Sequence, residues 1–206
     1  MLRLWTELPG LERVDRGVAL TFDDGPDPDA TPAVLDALDE ARIRATFFLV
    51  GEQVEAHPRL AREIVARRHE VQAHCYDHTH HERLEDPAAD LWKTIEAIFK
   101  ATGVSPTHQR PPYGRFSPAS HAVCVEAGLE PVYWSAWGED WEDIGADRIA
   151  DFVVRDLSDG LVILLHDSAR YAHRPSAHAT AAAIPSIAAA LADAALPTRS
   201  ISNARA

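Results

Sequence analysis

The sequence predicts an α/β fold of parallel strands, arranged as a barrel rather than an open sheet. Two observations predict it. Short apolar runs alternate six or seven times with segments whose apolar residues recur at helical spacing, the pattern of strands joined by crossover helices. The residues with reactive side chains stand just past the C-terminal ends of several different strand candidates, which is where the loops around a barrel's mouth converge.

Taken in order, Val18-Ala19-Leu20 leads into Thr21-Phe22-Asp23-Asp24-Gly25-Pro26, a strand that Gly25 and Pro26 break into a turn. Pro32 opens a helix in which Val34, Leu35 and Leu38 share a face. Ala45 to Val50 is almost uninterrupted apolar sequence, as expected of a parallel strand covered on both sides, and Gly51 stops it. Pro58 begins a helix with Leu60, Ile64 and Val65 inward, and Glu70 to His74 is a short strand. Asp90 to Ala101 carries Leu91, Ile95, Ile98 and Phe99 on one stripe and ends before Gly103. From Gln109 the chain runs extended through Arg110-Pro111-Pro112-Tyr113-Gly114, because neither proline fits a helix interior or a central ladder. Ser117-Pro118 starts a helix that closes at Gly128. Glu130 to Ser135 reads as one strand feeding a Trp-rich loop, and Ile149, Phe152, Val153 and Leu157 mark a further helix. Leu161 to Leu165 is a buried strand, Ala179 to Ala195 an alanine-rich helix, and Pro197 to Ile201 the last strand.

With 206 residues and no linker or shift in composition, the chain is expected to form a single domain over 1–206. A formal net charge of −12 excludes electrostatic attraction to nucleic acid or to anionic membrane. No run reaches the ~18 apolar residues that a membrane span requires. Glu7 and Pro9 stand where a secretory signal would have its apolar centre, so no signal peptide is read and a cytoplasmic location is favoured over secretion. Two cysteines, Cys75 and Cys124, are too few for a disulfide framework and are expected as free thiols.

Asp23 and Asp24 are neighbours at a strand end, where successive side chains take opposite directions. Such a pair suits a division of labour in which one acid holds a metal and the other handles a proton. His74 and His78 lie four apart after a strand, close enough to grip one ion, and a carboxylate would complete a triad with open positions for water and substrate. Arg110, stiffened by the two prolines, is a rigid partner for a carboxylate. His166 emerges from a buried strand and is placed for acid and base work. Each has a bland alternative: an acidic turn, a chance pair among eleven histidines, a surface arginine, a core histidine, and core packing for Trp134, Trp137 and Trp141.

Together, Thr21 to Pro26, His74-x-x-x-His78, Arg110-Pro111-Pro112-Tyr113, Asp140-Trp141 and Leu164-x-His166 stand in the order and rough spacing of five motifs. In this the sequence resembles the polysaccharide deacetylases, carbohydrate esterase family 4 with its NodB homology domain, from about Val14 to about Ile201. The resemblance implies a distorted (β/α) barrel with seven or eight strands and a metal-dependent hydrolase that removes acetyl groups from N-acetylated or O-acetylated carbohydrate. It makes Asp24, His74 and His78 the ligands of one divalent ion, zinc with cobalt or nickel as alternatives. Asp23 becomes the general base, Arg110 its partner, His166 the general acid and Asp140 the group that keeps that imidazole charged. The backbone N–H of Tyr113 becomes an oxyanion donor, and Trp141 and Leu164 the walls of the acetyl pocket.

Three departures from the family pattern stand out. Cys75 replaces the usual Ser or Thr after the first histidine, which removes a good donor and brings a thiol near the metal. Trp137 replaces an acid three residues before Asp140 and is expected to narrow the groove. Neither a leader nor a wall-binding module is read in this sequence, although many relatives carry one, and an intracellular or small substrate is therefore among the expectations. Two other functions compete with carbohydrate deacetylation: hydrolysis of a small non-carbohydrate amide, and carbohydrate binding without catalysis.

Overall fold

The structure, a computed structural model, describes residues 8–203. Its elements in chain order are β1 (Val18–Asp23), α1 (Thr31–Ala41), β2 (Thr46–Leu49), α2 (Gly51–Ala56), α3 (Pro58–Ala66), β3 (Glu70–Ala73), α4 (Pro87–Thr102) and β4 (His108–Gln109). They continue with α5 (Pro118–Glu126), β5 (Glu130–Pro131), β6 (Ala136–Trp137), α6 (Ala146–Val154), β7 (Val162–His166), α7 (His178–Asp193) and β8 (Thr198–Arg199). All strand pairs are parallel, in the order β5-β4-β3-β2-β1-β7-β6, and β8 covers the start of β1 on the edge that β2 has not yet reached. The expected alternation and the α/β barrel-like class are present, as a curled half-barrel.

The uniform apolar strands conceal a strict alternation. Val18, Leu20 and Phe22 of β1, Phe47 and Leu49 of β2, and Ile163 and Leu165 of β7 belong to the large core under the helices, where Phe22 stacks on Phe47 at 5.1 Å. Ala19, Phe48, Val162 and Leu164 point the other way and pack with Leu11, Val132 and Trp134 in a second, smaller core inside the curl. Polar residues on this inner face therefore line up along the strands towards the mouth.

The expected strand over Glu130 to Ser135 is in fact two short ones. β5 pairs with β4 at one edge of the sheet, and β6 pairs with β7 at the other. Between them Val132 bridges to Leu11, and Ser135 N–H donates to Val162 O at 2.9 Å. The segment thus spans the gap of the half-barrel, a crossing that a local hydrophobic pattern does not encode. α2 was also absent from the sequence reading, because Gly51 stops β2 but opens a six-residue helix at once. The last strand shrinks to two residues, since the backbone N–H groups of Ile201 and Ser202 turn aside to the Glu70 carboxylate at 2.8 and 3.1 Å. Among the described residues, no helix is long and apolar enough to cross a membrane.

Candidate active site

Three inner-face residues of β1, Ala19, Thr21 and Asp23, lie in register with Val162, Leu164 and His166 of β7. The pleat alone therefore delivers Asp23 and His166 side by side at the mouth. Arg110 reaches them from the loop after β4 and is fully buried. Its Nη1 donates to Asp23 Oδ1 at 2.8 Å and to Thr21 Oγ1 at 2.7 Å, its Nη2 donates to Tyr133 O at 2.9 Å, and its plane lies 4.2 Å from the Phe48 ring centre. The surface alternative for Arg110 is excluded. A guanidinium so held fixes one carboxylate oxygen of Asp23 in direction as well as in charge.

Asp24 leaves the strand with a left-handed φ of 81°. Gly25 follows because a Cβ there would lie 2.2 Å from Asp167 Oδ2. Asp24, His74 and His78 form one buried cluster whose ligand atoms lie within 4.8 Å of one another. His74 Nδ1 is 2.8 Å from the Arg110 carbonyl, which can only accept, so Nδ1 carries the proton and Nε2 presents a lone pair. That lone pair faces Asp24 Oδ1 at 3.5 Å, and both atoms are buried without a hydrogen-bond partner. His78 Nε2 approaches the same oxygen at 3.1 Å. Burial works against ionised Asp24, but the imidazoles of His74 and His78 beside it outweigh burial and hold its carboxyl well below the usual range. Two imidazole nitrogens and a carboxylate oxygen converging in this way fit a divalent metal and leave coordination positions open. His78 is held from outside by Tyr171, whose ring stacks on it at 4.0 Å, and by the edge of Tyr113 at 4.8 Å.

Asp140, wholly buried, accepts His166 Nδ1–H on Oδ1 and the His166 backbone N–H on Oδ2, both at 2.8 Å. Burial disfavours an imidazolium, but the Asp140 charge and hydrogen bond outweigh it, and the His166 pKa is pushed up to about 9. His166 is therefore protonated at neutral pH and has a proton to give.

One cavity of about 310 Å³ is lined by Asp23, Asp24, His74, His78, Tyr113, Trp141, Leu164 and His166, with Trp134, Tyr171, Ala172 and His173. Arg110 and Asp140 stand directly behind it, so the sequence-predicted residues converge on a single site. Trp137 does not line that cavity; it pairs in register with Leu164 and packs on the inner core, so the expected narrowing of the groove is not seen. Nor is Cys75 part of the ligand cluster. Burial first, then nearby Asp90, pushes its thiol well up. Tyr171 and His173, which follow the last motif and were read as bordering the groove without a role, do line the cavity; the sequence reading missed Arg174 and Thr180, which reach the site from the loop after β7 and from α7.

Comparisons with known proteins place the chain among its relatives by sequence and by fold. The family description "Polysaccharide deacetylase" matches residues 11–132. A chitooligosaccharide deacetylase from Bradyrhizobium is 41% identical over 155 residues, covering 74% of this chain and 71% of that protein. The peptidoglycan-N-acetylglucosamine deacetylase of Listeria monocytogenes is 36% identical over 157 residues, 75% of this chain but 33% of its own length, so the chain matches about a third of that relative. Among solved structures, a family 4 carbohydrate esterase from Streptomyces lividans in complex with acetate superposes with a TM-score of 0.80 at 35% identity, covering 90% of this chain and 92% of that one. The match runs over more than half of the sequence and takes in the first five strands, with His74 and His78; this chain belongs to the polysaccharide deacetylase family.

Proposed function

We propose that this protein hydrolyses acetyl groups on carbohydrate, N-acetylated sugars first and O-acetyl esters second, with one divalent ion held by Asp24, His74 and His78. The observation that carries the reading is the placement of Asp23 and His166, a carboxylate held by Arg110 and a protonated imidazole, in one cavity with that three-donor cluster. Zinc is the first candidate for the ion, with cobalt and nickel next. When bound, such an ion supplies Lewis acidity that polarises the acetyl carbonyl and acidifies water.

Asp23 accepts the proton of the attacking water, and Arg110 keeps that carboxylate aimed. The backbone N–H of Tyr113, in a turn with a left-handed φ of 58°, is assigned to the developing oxyanion. As the carbon–nitrogen bond breaks, His166 gives its proton to the departing amine, and Asp140 stabilises the imidazolium until then. Trp141 and Leu164 wall the space for the acetyl methyl group. The products are acetate and a free amine, or a free hydroxyl from an ester. The acetate-bound Streptomyces esterase and the chitooligosaccharide deacetylase of Bradyrhizobium support this choice of substrate class.

The test is acetate release from chitooligosaccharides, peptidoglycan fragments, acetylated xylan and an aryl acetate, using metal-stripped protein with and without zinc or cobalt. Metal-dependent release from any carbohydrate supports the reading. Stoichiometric metal binding without release from the whole panel would defeat it.

A further inference from the structure

Asp140 receives more donors than the acid it serves provides. Beyond the two from His166, its Oδ2 accepts the Thr180 hydroxyl at 2.7 Å and faces Arg174 Nη2 at 3.5 Å. Arg174 is 7% exposed, and the same Nη2 donates to the carbonyls of His166 and Ser168 at 3.1 and 3.3 Å. Its Nη1 donates to Thr180 Oγ1 at 2.6 Å. Because a guanidinium only donates and a carboxylate only accepts, the direction of this relay is fixed: Arg174 to the Thr180 oxygen, and the Thr180 proton to Asp140.

Resting on the reading of His166 as general acid, we infer that Arg174, with Thr180 as its relay, is a positioning residue that keeps Asp140 ionised whichever protonation state His166 is in. The need for it is electrostatic. His166 loses and regains a proton in every turnover, and each loss would leave a buried carboxylate without a counter-charge. Arg174 is the cation that stays. Its positive charge also competes with the imidazolium for Asp140, so the proton leaves His166 more readily.

Other charged or titratable groups face His166 and remain in place in the variants below. Asp23 and Asp24 approach from the end of β1, whereas Asp167, next in the chain just beyond β7, turns its carboxylate to the Thr31 hydroxyl. His74 and His78 line the same cavity, while Trp141 contributes a neutral ring edge at 5.9 Å.

The experiment measures the His166 titration by NMR of protein labelled at histidine Cε1, used as purified, with the resonance assigned from His166→Gln. Arg174→Gln should raise the His166 pKa by about half a unit or more, in line with loss of a nearby like charge, and lower kcat about tenfold with KM unchanged. Arg174→Lys, which keeps the charge, should restore most of the wild-type titration. Thr180→Val should move it in the same direction as Arg174→Gln by a smaller step, and it carries the test if Arg174→Gln does not fold. An unmoved or lowered His166 titration in a folded variant, even with reduced kcat, would overturn the inference and leave Arg174 a structural residue. Failure of the deacetylase reading would instead appear as absent acetate release by the unsubstituted protein, with the titration shift intact.

Discussion

Asp23 and His166 are a register pair on adjacent parallel strands, β1 and β7, both on the inner face of the curl. The separation of the proposed base and acid is thus set by the sheet's own spacing, about 4.8 Å between neighbouring strands, rather than by a loop. Each then has its own buried partner, Arg110 for Asp23 and Asp140 for His166.

Replacing Asp23 with Asn preserves shape and removes the proton acceptor. Turnover should fall by roughly 10²–10⁴-fold while metal content, measured by elemental analysis, stays at the wild-type ratio. Full activity in this variant with metal retained would sink the role given to Asp23.

Asp24→Asn and His74→Ala act on the ion instead. Each should weaken zinc binding by more than the 10–100-fold typical of a supporting residue, read by competition with a chromogenic chelator. High zinc concentrations should recover part of the activity of Asp24→Asn. No comparable recovery is expected for Asp23→Asn.

His166 serves only while protonated, and its pKa stands near 9 in the folded protein. The rate should therefore hold through neutral pH and decline as pH rises through about 9. Asp140→Asn removes the charge that raises this value and should bring the decline down by a unit or more. Stability follows the same sign. The unfolded pKa lies near 6.5, so the pair's contribution is complete below about 6.5 and is lost as pH rises through the folded value; urea unfolding at pH 6 and pH 10 compares the two.

Arg110→Met should lower unfolding free energy by about 3–5 kcal/mol, the usual result of stripping one partner from a buried ion pair. The double variant with Asp23→Asn should recover a measurable part of that loss, because the stranded carboxylate is gone. Strict additivity in urea titrations would mean that the two groups are not coupled.

The residues of the candidate site were legible because each sits in a short motif tied to a strand end. Asp23 and Asp24 precede a Gly-Pro break, Arg110 precedes two prolines, and His166 ends an apolar run. Arg174, Thr180 and Tyr171 carry no such mark. Their contacts depend on how the segment between β7 and α7 folds back, and Tyr171 meets Glu52 across 119 residues of sequence. The place of Trp137 was hidden for a related reason. The single strand read over Glu130 to Ser135 left it in a loop at the groove, whereas the split into β5 and β6 puts it on the sheet. Cys75 was read from its neighbours as a free thiol in the interior, and it is one, while its place outside the Asp24, His74 and His78 cluster depends on how the loop after β3 folds.

The Ile201–Asn203 turn is tied to Glu70 at the strand starts, the end of the molecule opposite the mouth formed by Asp23 and His166. A tether leading away from this turn would let the protein be fixed to a bead or an electrode with its cleft facing outwards. Immobilised in that orientation, it would still meet an insoluble polymer arriving from solution.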